Sequence, residues 1–115
     1  MIHIFLCDDD SSYLEYLSEI VDRFFRQNNI EAGIKTFTDG EKLLEEPEMA
    51  DIVFLDVEMP YINGIELLQE IRPYVRNSMR VIFYSAFDKY MLDALRASAF
   101  DYLLKPYQTN ELKQI

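Results

Sequence analysis

Ile52, Val53, Phe54 and Leu55 run without a break into Asp56. Pro60 and Gly64 then mark a loop before a helical pattern begins at Ile65. A short β-favouring run bounded by polar and turn residues is the pattern of a strand buried on both faces. Such a strand needs a covering layer above and below it. Asp56 then stands at the carboxyl end of a central strand, the edge at which open parallel sheets bind ligands.

The same alternation recurs along the chain. Ile2–Cys7 reads as a first strand. Ser12 with Glu15 fits a capping box, and Leu14, Leu17, Val21 and Phe24 follow at the spacing of one buried helical stripe. Ala32–Phe37 is a second strand. Thr38 with Glu41 fits another capping box, opening a short helix through Leu43 and Leu44 that Pro47 ends. The strand into Asp56 is third, and Ile65, Leu68 and Ile71 trace a helix stopped near Pro73. Residues 80–84 form a fourth apolar run ending at Ser85-Ala86, residues 89–97 a helix, and residues 102–104 a fifth strand entering Lys105-Pro106. From Glu111 the pattern is helical again. Five βα units imply an α/β fold with right-handed crossovers. The expected packing is a flavodoxin-like, doubly wound five-stranded parallel sheet of order 2-1-3-4-5 with helices on both faces.

At 115 residues, half of them apolar, the chain is one domain able to bury its own core. Its formal charge of −10 argues against gripping a nucleic-acid backbone, but does not exclude holding a cation or docking on a basic partner. A single cysteine, Cys7, excludes an internal disulfide. With no signal-peptide pattern, that fits a reducing cytoplasm. No apolar run approaches the ~18–20 residues of a membrane span. His3 reads as a strand residue near the edge of the core and Cys7 as small buried packing, with no basic group nearby to make it a thiolate. The chain stops at Ile115, a few residues into the last helix, so 1–115 is expected to be a fragment truncated in helix five, with no output domain in it.

Four strands end in polar residues of particular kinds: Asp8-Asp9 after the first, Asp56 after the third, Ser85 after the fourth and Lys105 after the fifth. Taken singly each has an ordinary reading. An acidic run before a helix caps it, an Asp or Ser after a strand turns or caps the chain, and a Lys is solvated. Their coincidence at one sheet edge is what carries weight. Two carboxylates ~4 Å apart repel by roughly 4 kcal/mol at an effective dielectric of 20. A hard divalent cation relieves this, and an all-oxygen site suits Mg²⁺ or Mn²⁺. A cation, an ammonium and a hydroxyl around one carboxylate can neutralise and bind an incoming phosphoryl group. Asp56 is then the nucleophile that forms an acyl phosphate.

Asp8-Asp9, Leu55-Asp56-Val57-Glu58-Met59-Pro60, Gly64, Ser85-Ala86 and Lys105-Pro106 together resemble the receiver domain of bacterial two-component response regulators, over nearly the whole chain. The resemblance implies that Asp56 accepts phosphate from a sensor histidine kinase. It implies that Asp9 binds Mg²⁺ directly, Asp8 largely through water, and Glu58 through its backbone carbonyl. Ser85 and Lys105 would bind the phosphoryl group, the latter preceding a cis proline. Ser85 and Tyr102 would form the switch that changes the helix 4, strand 5 and helix 5 face, where the phosphorylated form would dimerise. The segments 84–90 and 100–106 resemble receivers that precede a LytTR-type DNA-binding domain. Transcription would then be controlled from outside these residues, with no direct nucleic-acid contact by this domain. Ser98 departs from the family, which favours Gly at that corner. Glu58 stands two residues past the acceptor, where a carboxylate could alter the phosphoryl lifetime.

Two other readings use the same residues. A haloacid-dehalogenase-type phosphatase shares a strand-end Asp nucleophile, Mg²⁺, a hydroxyl and a Lys, but needs a second Asp where Glu58 stands and room for a cap. A pseudo-receiver is a pure interaction module on this fold, but typically lacks an acidic or lysine position present here. A flavin site is disfavoured by the acidic first loop, which would repel a phosphate tail. The chain is therefore not expected to be an enzyme beyond catalysing its own aspartyl phosphorylation and dephosphorylation.

Overall fold

The computed structural model describes residues 1–45, 49–59, 63–74, 79–85 and 101–104. In chain order these form β1 (Ile2–Cys7), α1 (Ser11–Gln27), β2 (Ala32–Phe37), α2 (Gly40–Leu43), β3 (Ile52–Asp56), α3 (Gly64–Ile71), β4 (Arg80–Ser85) and β5 (Asp101–Leu104). The strands make one sheet of order β2-β1-β3-β4-β5, all neighbours parallel. This is the doubly wound order expected from the alternation of strand and helix. The expected helices at 89–97 and from Glu111, together with Ser98, Lys105 and Pro106, lie outside the described residues.

Alternate residues of the inner strands serve two cores. Ile4, Leu6, Phe54, Ile82 and Tyr84 pack with Leu14, Leu17, Ile20 and Val21 of α1. Phe5, Cys7, Val53, Leu55, Val81 and Phe83 pack with Leu43 of α2 and with Ile65, Leu67, Leu68 and Ile71 of α3. The sheet is therefore covered on both faces, which is why β1, β3 and β4 are continuous apolar runs rather than alternating ones. Ile20 completes the buried stripe of α1, and Phe24 is only half-buried. His3 is exposed within β1. Its backbone N–H donates to Asp51 at 2.8 Å. No helix among the described residues is long and apolar enough to cross a membrane.

Two caps differ from expectation. The N-cap of α1 is Asp10, whose carboxylate accepts from the amides of Ser12 at 3.0 Å and Tyr13 at 3.2 Å, so no Ser12–Glu15 box forms. The N-cap of α2 is Asp39 rather than Thr38, accepting from Glu41 N–H at 2.8 Å. In both, an Asp takes the first free amides from a hydroxyl: Asp10 lies two residues nearer its strand than Ser12, so α1 begins sooner, and Asp39 lies one residue beyond Thr38, so α2 begins later. Helix α3 carries a full capping box between Asn63 and Glu66.

Candidate metal and phosphoacceptor site

The carboxyl ends of β1 and β3 are adjacent in the sheet, with Cys7 in register with Leu55. Asp8 follows directly on β1, held there because its N–H donates to Phe37 of β2 at 3.0 Å. Asp56 is the last residue of β3. Asp8 and Asp56 are buried, whereas Asp9 is exposed. One carboxylate oxygen from each of Asp8, Asp9 and Asp56 lies within 4.8 Å of the others. Asp8 accepts the Asp10 N–H at 2.9 Å, and Asp56 accepts the Glu58 N–H at 3.3 Å. Backbone amides thus tie each buried carboxylate to its own loop.

Hard oxygen donors of this number and charge fit Mg²⁺ or Mn²⁺, which take carboxylates and retain several waters. Two buried acids and an exposed third leave the third side of the cluster open to solvent and to an incoming group. The same charges act on Cys7. Burial pushes its thiol up to about 12, with the charges of Asp8, Asp56, Asp39 and Asp9 adding to the shift. Its Sγ lies 3.6 Å from the sulfur of Met59. It is an apolar floor residue and not a thiolate ligand, as the absence of neighbouring cations in the sequence suggests.

The remaining predicted residues divide. Ser85 ends β4 and is buried, one residue past Tyr84, the register partner of Asp56. The side chain of Glu58 is exposed, and its backbone lies in the loop leaving Asp56. Tyr102 is on β5, next to β4, in register with Phe83. Lys105 lies outside the described residues.

Gly64 has a geometric role that the sequence marked only as a loop signal. A Cβ on it would lie 3.1 Å from the carbonyl carbon of Asp56, closer still to its oxygen, and 3.3 Å from the Phe83 ring. Its N–H donates to the Val57 carbonyl at 2.9 Å. The first turn of α3 is therefore pressed against the backbone of Asp56, and only glycine permits that approach.

The family model for the response regulator receiver domain matches residues 4–115. The chain belongs to this family. An uncharacterized response regulatory protein of Vibrio cholerae is 37% identical over 112 residues, covering 97% of this chain and 46% of its own length. The sensory transduction protein LytT of Oceanobacillus iheyensis is 31% identical over 115 residues, covering 97% of this chain and 45% of its own. The receiver domain thus spans about half the length of the curated relatives it matches. Among solved structures, the response regulator protein TrrA of Thermotoga maritima in complex with Mg(2+)-BeF superposes with a TM-score of 0.83. The two are 30% identical over 99% of this chain and 95% of that one. The likeness to LytT agrees with the LytTR-type resemblance of the sequence.

Proposed function

We propose that this receiver domain is a phosphorylation-activated switch in which Asp56 accepts a phosphoryl group from a sensor histidine kinase. The observation that carries this reading is the gathering of Asp8, Asp9 and Asp56 within 4.8 Å at the carboxyl edge of the sheet. Asp9 and Asp56 would hold Mg²⁺ directly, Asp8 largely through water, and Glu58 would contribute its backbone carbonyl. When bound, the cation supplies positive charge that neutralises the phosphoryl oxygens.

An Asp56 carboxylate oxygen attacks phosphorus while the P–N bond to the kinase histidine breaks, its electron pair leaving on the imidazole. The product is an acyl phosphate on Asp56. The Ser85 hydroxyl donates to one phosphoryl oxygen and the Lys105 ammonium pairs with another. Ser85 is buried at the end of the neighbouring strand. A contact made only in the phosphorylated state is what can bias a two-state element. Ser85 moving onto the phosphoryl group would change the setting of Tyr102 on the adjacent strand, and with it the helix 4, strand 5 and helix 5 face through which two copies would pair. The output would be transcriptional, through a DNA-binding domain outside these residues, in the cytoplasm.

The test is beryllofluoride binding with Mg²⁺, a mimic that appears in the TrrA structure. Wild type should bind one equivalent, and Asp56→Asn none. Failure of wild type to bind would make the domain a pseudo-receiver, and steady turnover of a small phosphomonoester would make it a phosphatase.

A further inference from the structure

Tyr84 takes no part in the chemistry above, yet it is bonded to both sides of the acid cluster. It is fully buried. It lies beside Asp56 in the β3–β4 register. Its hydroxyl donates to the carbonyl oxygen of Cys7 at 3.1 Å. Strand β4 is not a neighbour of β1, since β3 lies between them. The side chain therefore crosses β3 on the face covered by α1, within the core cluster of that face.

The Cys7 carbonyl and the Asp8 amide belong to one peptide group. The amide half donates to Phe37 of β2 at 3.0 Å. The peptide leading into Asp8 is thus gripped from both directions, by β2 through N–H and by Tyr84 through C=O. Asp8 in turn accepts the Asp10 amide, which closes the short loop containing Asp9. On the other side, the Tyr84 carbonyl accepts the N–H of Val57, the residue after Asp56, at 3.2 Å. The ring stacks on Tyr13, in the first turn of α1, with centroids 5.7 Å apart and planes at 27°. An aliphatic residue or Phe would satisfy burial at this position. The hydroxyl is the additional feature, and the carbonyl that it bonds leads straight into Asp8.

We propose that Tyr84 is a positioning residue for the divalent cation: its hydroxyl fixes the Cys7–Asp8 peptide and so the spacing of Asp8 and Asp9 from Asp56. This rests on reading the three acids as a metal site, and Tyr84 itself does not touch the metal.

Tyr84→Phe removes the hydroxyl and keeps the ring and its stack. Ile82→Val, on the same strand and in the same core, loosens packing without a polar link to β1. Titrating MgCl₂ into ¹⁵N-labelled protein, well below the melting temperature, gives a Kd for each form from the amide shifts of Asp8, Asp9 and Asp56. Tyr84→Phe is expected to raise that Kd about fivefold, the equilibrium equivalent of one neutral hydrogen bond. Ile82→Val is expected to leave the Kd unchanged while lowering the melting temperature. A wild-type Kd in Tyr84→Phe would overturn the proposal, as would equal weakening in Ile82→Val. Absence of Mg²⁺ binding in wild type would overturn the metal reading instead, so the two failures are distinguishable.

Discussion

Asp56→Asn should stabilise the metal-free protein. Asp8 and Asp56 are buried at 0% and 4% exposure, with carboxylate oxygens within 4.8 Å. At an effective dielectric of 20 that separation corresponds to a repulsion of about 3.5 kcal/mol. Asparagine keeps the shape of the side chain, and its carbonyl oxygen can still accept the Glu58 N–H that Asp56 accepts at 3.3 Å. The substitution therefore removes the charge and keeps that bond. Allowing for solvent reaching the open side, the gain should be about 2 kcal/mol, which in a domain of this size raises the melting temperature by roughly 8 °C. Thermal denaturation followed by far-UV circular dichroism in EDTA checks this. Mg²⁺ at ten times its Kd should stabilise wild type by about 1.4 kcal/mol. It should move Asp56→Asn far less, so the gap between the two narrows. An Asp56→Asn protein that melts at or below wild type in EDTA would refute the electrostatic argument.

Three further expectations follow from particular contacts. Gly64→Ala would drive a methyl into the Asp56 carbonyl; it should cost about 1–3 kcal/mol in urea denaturation and weaken Mg²⁺ binding, and wild-type stability would contradict the close approach. Asp10→Ala removes the cap of α1; it should cost about 1 kcal/mol, again by urea denaturation, while beryllofluoride still binds. The Cys7 thiol, raised from 9.0 to about 12 in the folded protein, keeps its proton where the unfolded chain loses it. Its contribution to stability is complete below pH ~9 and falls as pH rises towards ~12, by up to about 1.4 kcal/mol per pH unit. The stability difference between wild type and Cys7→Ala should shrink accordingly between pH 8 and 11.

The sheet was legible because burial on both faces leaves an unambiguous mark: β1, β3 and β4 are unbroken apolar runs, and each has its alternate residues in separate cores. The order of strands followed from the βα alternation, and the placing of Asp8, Asp9 and Asp56 at one edge followed from the order. Capping was harder to read. Around residues 8–12 and 38–41 several Asp, Ser and Thr side chains compete for the same free amides, and the winner depends on where the preceding strand ends in space. Asp8 is held to β2 through Phe37, which leaves Asp10 to cap. The bond from Tyr84 to the Cys7 carbonyl was not legible at all. It joins residues 77 apart in sequence across an intervening strand, and no local pattern distinguishes this Tyr from another apolar strand residue. Gly64 was visible as a glycine, but its reason, the backbone of Asp56 pressed against it, belongs to the packing of α3 on β3.

On the reading proposed above, the acids at this sheet edge make Asp56, and no other side chain, the phosphate acceptor. Incubating the protein with a small-molecule phosphodonor, with and without Mg²⁺, and mapping the label by peptide mass spectrometry tests it directly. A single acid-stable, base-labile phosphoryl group is expected on Asp56, forming only with the divalent cation and absent from Asp56→Asn. Label on another residue, or label on Asp56 that forms equally well in EDTA, would contradict it.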